Sequence, residues 1–432
     1  MGFCTSVAIR KILDVVKENG SSENVLMSPL SINMMLNMVA SGSRGKTLEQ
    51  FMAFLGAKGT DDFNDKSSVM MSLLASETAA SSSNETETVK PPVLPKPTAT
   101  FDTKPYWAQP LERLMYSSKE IPEMKEQPPQ FSLANALWVD NHFPLIPSFK
   151  EITQSIYKAQ VKNVDLITQA QQVKDEINSW VENETKGLIK DLLSPDVTLG
   201  PPLCLVNALY FKGAWEHAFD ASATRDRDFH LLNGETTKVP FMISQDVYRS
   251  FASFDDYKVL KLPYQRGHQC TDKQFSMYFF LPHRRDGLQD MMEKFNSDTT
   301  MLQPNRFHLR EVKLSHLRIP KLKFSYYVDA KELLQDRGLT LPFDPFGADF
   351  TDMVNGFLVY IDCMLHKSCI EVNEEGTEAA AVTFSGMLSG AARVYKPPPP
   401  RPSFVADHPF MFMVVEEFSE LVVFTGAVLN PN

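Results

Sequence analysis

Few residues of this chain are spaced for covalent chemistry. Nine histidines and five cysteines are scattered over 432 residues, and none shows the spacing that holds a metal or arms a nucleophile. The chain has no G-x-S-x-G turn, which would raise a serine above a sheet. Nor has it an H-E-x-x-H helix, which would set two imidazoles on one face. His366 sits inside an apolar run, where a hydrogen-bonded core histidine is the expectation. The chain is therefore read as a non-enzyme, with no catalytic residue, no metal and no cofactor.

Two short patterns imitate chemistry. Ala40 to Thr47, A-S-G-S-R-G-K-T, matches a relaxed phosphate loop in which Ala40 replaces the first glycine. A true phosphate loop leaves a strand and opens a helix, so that amides point at the phosphates. Here the preceding ten residues have helical periodicity, so a connection between two helices is expected. Met1 to Ser6 fits an N-acylation pattern with Cys4 placed for a second lipid. The plainer reading makes Ser6 the cap of a helix over 6–19, with Val7, Ala8, Ile9, Leu13 and Val16 on its apolar face.

Composition narrows the class further. Apolar residues make up 43% and charged residues 22%, and the net charge is −10. That is a globular balance, and it argues against nucleic-acid binding, which needs a basic footprint. The basic stretch Arg306 to Lys323 alternates with apolar residues and is read as a solvated strand face, not a polyanion site. Cys4, Cys204, Cys270, Cys363 and Cys369 are odd in number and lack C-x-x-C spacing, which disfavours a disulfide framework. No uncharged run reaches a membrane span and no secretory leader is visible. A cytoplasmic setting is expected, with unconventional release as the alternative.

The elements that would position a site follow from periodicity. Asn24 to Ser31 reads as a short buried strand breaking at Pro29, followed by an apolar helix over 32–39. Phe131 to Asp140 reads as a strand, then helices at about 148–158 and 170–182. Leu203 to Phe211 is apolar almost throughout, as a strand covered on both faces must be. Short strands and turns occupy 227–282, with a hairpin signal at Asn233-Gly234. Further strands fall at 312–324, 410–415 and 421–425. Between Glu77 and Gln130, Ser, Thr, Glu and Pro dominate, and only Leu111 to Ser118 has helical pattern. This is read as a disordered insertion in an otherwise single domain spanning 1–432.

The stretch Lys367 to Gly390 is unusual. Cys369 to Val372 alternates as a strand, Asn373-Glu374-Glu375-Gly376 breaks it, and small residues follow. As a strand, one face would carry Thr377, Ala379, Ala381, Thr383, Ser385 and Met387, all uncharged. Glu378, Ala380, Val382, Phe384, Gly386 and Leu388 would share the other. A loop composed this way can become a buried strand.

His366 to Thr383, H-K-S-C-I-E-V-N-E-E-G-T-E-A-A-A-V-T, resembles the strand and hinge of serpins, close to the plant branch. Ser28-Pro29-Leu30-Ser31, the 40–47 connection, Lys212 to Trp215, Ile319 to Phe324 and Phe404 to Phe410 extend the resemblance along nearly the whole chain. It implies an α+β fold with three β-sheets, eight to nine helices and an exposed reactive-centre loop over 374–403. It implies a hinge at Glu374, Glu375, Gly376, Thr377, Glu378, Ala379, Ala380, Ala381 and Val382. It also implies a shutter of Ser28, Ser31, Asn207 and His366, and Trp215 where the loop first enters the sheet. Plain helix capping by the two serines and a plain core role for Trp215 remain open beside these.

The function implied is trapping of a serine protease, or a papain-like cysteine protease. The protease cleaves the loop, is held as an acyl-enzyme, and is carried off as the loop inserts into the central sheet. Residues 377–389 would span about 43 Å when extended. Family counting puts the scissile bond at Gly390–Ala391, suited to a small primary pocket. If the lengthened Arg393 to Pro402 segment shifts the register, Arg393–Val394 is the bait. The partner implied is a target protease bound covalently by a monomer, with no nucleic acid and no membrane. The alternative is a serpin-fold binding or chaperone-like protein without inhibition.

Overall fold

Cys4, Val7, Ala8, Ile12, Leu13 and Val16 recur at helical spacing and are all buried, so the first helix has one apolar face. In the computed structural model, which describes residues 2–18, 22–74, 128–266, 273–375 and 401–432, this is α1 (Gly2–Lys17). It begins four residues earlier than expected. Ser6 is not its cap but lies within it, its hydroxyl donating to the Phe3 carbonyl at 2.7 Å. Cys4 is fully buried and accepts a hydrogen bond from Asn33, so the second lipid site of the acylation pattern is closed off by packing.

β1 (Val25–Met27) runs into α2 (Pro29–Ala40). Ser28 caps this helix through its Oγ, which accepts from Ser31 N at 3.1 Å. Pro29 occupies the first turn, where a missing N–H is harmless, so the helix starts three residues before Ile32. α3 (Gly45–Leu55) and α4 (Thr60–Leu74) follow. The phosphate-loop look-alike therefore lies between two helices. Arg44 is paired with Asp352 at 2.6 Å and its N–H donates to the Asp349 carbonyl. Carboxylates at that loop would repel an anion.

The remaining elements, in order, are β2 (Gln130–Asp140), α5 (Pro147–Ser155), β3 (Gln160–Val164), α6 (Ala170–Glu184) and β4 (Leu203–Lys212). Then come β5 (Arg225–His230), β6 (Thr236–Ser253), β7 (Tyr257–Pro263), β8 (Phe275–Pro282), α7 (Leu288–Ser297) and β9 (Arg310–Pro320). β10 (Leu322–Asp329), α8 (Ala330–Asp336), β11 (Ile361–Val372), β12 (Phe404–Val405), β13 (Phe410–Glu416) and β14 (Leu421–Val428) complete them. The described residues thus hold eight α-helices. The Asn233-Gly234 turn joins β5 to β6 as a hairpin, Gly234 taking φ +85°. The expected helix at 111–118, and the insertion expected over 77–130 as far as residue 127, lie outside the described residues, while Gln130 already belongs to β2.

Strand pairing makes three groups. A central five-stranded sheet has the order β10-β11-β4-β2-β3. A second run, β1-β14-β13-β8-β7, packs behind it, and β5, β6, β9 and β12 form a smaller group. The last two share β6, whose eighteen residues pair with β5, β7 and β9 in turn. This mixed α+β architecture is the one expected.

The central sheet is buried on both faces, which explains the nearly unbroken apolar sequence of β4. Leu203, Leu205, Leu209 and Phe211 join the main core beneath α1 and α2. Cys204, Val206, Ala208 and Tyr210 point the other way, into a smaller core under α6 with Ile177 and Val181. Within the sheet, β11 and β4 run parallel over Cys363↔Cys204 to Ile370↔Phe211, while β11 is antiparallel to β10 and β4 antiparallel to β2.

Candidate functional site

The polar groups of the central sheet converge on His366. Asn135, Asn207 and His366 are successive cross-strand partners on β2, β4 and β11, so they form one row through the sheet. All are buried, with Ser28 and Ser31 at the start of α2 above them. The Ser28 N–H donates to His366 Nε2 at 3.1 Å. Nε2 is therefore unprotonated, the proton sits on Nδ1, and Nδ1 donates to Asn207 Oδ1 at 2.8 Å. The Ser368 hydroxyl also lies 2.8 Å from Nε2. Complete burial pushes the His366 pKa down to about 3, so the ring is neutral. This neutral imidazole ties α2 to the seam between β4 and β11.

One neighbour was not anticipated. Asn135 is 2% exposed, and both its amide atoms lack a hydrogen-bond partner among the described residues, as does Asn207 Nδ2. Buried amides left unpaired cost free energy on the order of 1–3 kcal/mol. They mark a place where the sheet's polar groups are not optimised for the present arrangement. Asn135 was discoverable as the polar residue at the centre of an otherwise apolar strand.

A second cluster lies at the far end of the same strand pair, where β11 leaves the sheet. The Trp215 indole stacks on Tyr264 with centroids 4.5 Å apart, and its Nε1 donates to the Asn373 carbonyl at 3.0 Å. The Trp215 N–H donates to the Glu375 carbonyl at 2.9 Å, and the Phe219 N–H to that of Glu374 at 2.7 Å. The Glu374 carboxylate accepts from the Thr224 hydroxyl at 2.6 Å and pairs with Lys321 at 2.9 Å. Burial acts to raise the Glu374 pKa, but the Thr224 and Lys321 contacts outweigh it and hold the carboxyl below its usual range. The three residues that follow β11, Asn373 to Glu375, are thus stapled to the 215–224 segment by backbone and side chain together.

A family model described as serpin (serine protease inhibitor) matches residues 4–431. Serpin-Z10 of Arabidopsis thaliana is 36% identical over 99% of this chain and 96% of its own length. The chain is a serpin. Serpin-Z3 of the same plant is 37% identical, covering 98% of this chain and 95% of that one. Among solved structures, Arabidopsis AtSerpin1 in its native stressed conformation superposes with a TM-score of 0.79 at 33% identity, covering 100% and 97% of the two chains. Membership in the protease-inhibitor superfamily, on its plant side, follows.

Within the serpin frame, the structure brings Ser28, Ser31, Asn207 and His366 together, and separately Trp215 with Glu374 and Glu375. The capping role of Ser28 holds at the same time as its contact with His366. Gly376 to Val382 and both candidate scissile bonds, Gly390–Ala391 and Arg393–Val394, lie outside the described residues. Among the described residues no three His, Cys, Asp or Glu side chains could share a metal, and no helix is long and apolar enough to cross a membrane.

Proposed function

We propose that this serpin inhibits endopeptidases as a suicide substrate, its loop being cleaved and then entering the central sheet between β4 and β11. One observation carries the reading: β4 and β11 run parallel and β11 is the strand the loop leaves, whereas the sheet's other parallel pair, β2 and β3, lies away from it. A chain that turns back after Val372 would run antiparallel to both, and would pair with each along its whole length. β11 has twelve residues and β4 ten, a length that the thirteen residues 377–389 match. A dozen new backbone hydrogen bonds at ~1 kcal/mol each would supply on the order of 10 kcal/mol. The face carrying Thr377, Ala379, Ala381, Thr383, Ser385 and Met387 is uncharged and suits burial in the sheet, with Glu378 on the other.

In this reading the His366 row is the seam that parts, and the Trp215–Glu375 staple is the gate at which entry starts. The monomer would hold its target covalently through the cleaved loop. The four described cysteines are free thiols, which supports a reducing, cytoplasmic setting.

The deciding experiment mixes the protein with elastase-, subtilisin-, trypsin- and papain-type proteases, followed by denaturing electrophoresis and mass spectrometry of the released C-terminal peptide. A denaturant-resistant complex is expected. A peptide beginning at Ala391 assigns a small primary pocket, and one beginning at Val394 assigns a basic-specific target. Cleavage without complex and without a gain in heat stability would transfer the protein to the binding-protein alternative.

A further inference from the structure

Cys204 and Cys363 are 159 residues apart in sequence yet directly opposed on β4 and β11. Both point into the smaller core under α6, on the face opposite His366. Their thiols lie on the same face of the paired strands, Cys204 being 0% exposed and Cys363 5%. Adjacent strands stand about 4.8 Å apart, within the ~4.4–6.8 Å between Cα atoms that a disulfide tolerates. The side chains share a face, so a bond needs only a small approach of the two strands. β11 also has a register irregularity between Ile361 and Cys363, which gives the strand local freedom to make that approach.

We propose that Cys204 and Cys363 are a reversible redox site whose disulfide ties β4 to β11. Hydrogen peroxide is a sufficient oxidant. The facing Cys204 thiol and burial hold the Cys363 thiol well above its ordinary range, so it is on local opening of the strand pair that its sulfur, the one with any solvent contact, attacks the peroxide and becomes a sulfenic acid, releasing one water. The Cys204 sulfur then displaces the hydroxyl, and its own proton leaves with it as the second water. Two electrons pass from the sulfurs to the peroxide. A dithiol reductant reverses the step by exchange.

The position of the bond matters as much as its existence. Seven residue steps along β11 lead from Cys363 to Ile370 at the hinge end, about 23 Å of strand. The cross-link leaves the entry end free and holds the far end shut. If the insertion mechanism proposed above operates, as this consequence requires, the oxidised protein admits only the first part of its loop. The protease is then released before it is fully displaced, and the inhibitor becomes a substrate.

The test uses the full chain, reduced or treated with hydrogen peroxide, then alkylated. Peptide mapping of the wild type needs no variant, and a cross-linked pair containing Cys204 and Cys363 is expected. Hydrogen exchange at the amides of 203–206 and 361–365 should slow by about tenfold or more on oxidation, and recover with dithiothreitol. Cys204→Ser and Cys363→Ala should each abolish that difference. Absence of the cross-linked peptide, or exchange unchanged when it is present, overturns the proposal without any protease in the assay. Complex formation by the reduced protein is scored separately. If the reduced form traps no protease, the insertion reading fails while the disulfide stands or falls on the first two measurements. If reduced and oxidised forms trap protease equally well, the lock fails although inhibition is real.

Discussion

His366 donates from Nδ1 to the Asn207 amide oxygen at 2.8 Å, across a seam whose two strands run in the same direction. This bond and the Ser28 amide on Nε2 fix the ring on both sides. Replacing Asn207 by Ala leaves a buried imidazole N–H with no acceptor, which should cost about 1–3 kcal/mol. A thermal melt followed by circular dichroism should show a midpoint lowered by several degrees, and an unchanged midpoint would rule out this bond as a structural tie.

The same ring makes stability depend on pH. Its folded pKa is depressed to about 3 against an ordinary 6.5, so the unfolded chain binds the extra proton. The contribution is fully present above pH 6.5 and is lost as pH falls from there toward 3. Its polar neighbours Ser28, Asn207 and Ser368 are uncharged, so none compensates a protonated ring. Between pH 7 and 5 the loss attributable to His366 is about 2 kcal/mol. Urea unfolding at both pH values, on wild type and His366→Gln, should show that the variant has lost most of this slope.

Glu374 holds the point where the chain leaves the central sheet. Its partner Lys321 has 40% of its side chain exposed, so the ion pair itself is screened and contributes at most about 1 kcal/mol. Glu374→Gln should therefore leave global stability nearly unchanged. It should instead raise the exchange rate of the Trp215 and Phe219 amides severalfold, because these N–H groups donate to the carbonyls of Glu375 and Glu374. Equal exchange in both proteins would mean that the backbone bonds hold without the carboxylate.

The proposed insertion demands small uncharged side chains after the hinge. Ala381→Arg places a charge on the face that would enter the sheet, where burial without a partner is costly. The variant should still be cleaved by the target protease but give mostly cleaved product, with complex yield reduced by about tenfold or more. Undiminished complex would show that this position stays outside the sheet.

The fold was readable because its signals were local or carried by motif. β4 is apolar at nearly every position since both faces are covered, and α2 is announced by Ser28-Pro29. The start of α1 was misjudged because Ser6 resembles a cap, whereas its hydroxyl turns back onto Phe3 within the helix. The Trp215–Tyr264 stack, the Lys321–Glu374 pair and the Cys204–Cys363 contact had no signal in the chain. Each joins residues that only the finished sheet order brings together. Asn135 is intermediate: its polarity amid F-S-L-A-N-A-L-W-V was visible, but its row with Asn207 needed the register of β2 on β4.

β1 pairs with β14 in the register Val25↔Ala427, and a Cβ on Gly426 would stand 2.4 Å from the Val25 carbonyl oxygen. That close approach makes the contact dependent on a glycine lying about 400 residues downstream. At ~5–20 residues per second, the ribosome takes on the order of 20–80 s to produce the partner of the first strand. Throughout that interval β1 lacks the strand it pairs with, although α2 can already pack on β4. Until Gly426 has been made, β1 has no partner along the edge that β14 covers in the folded protein.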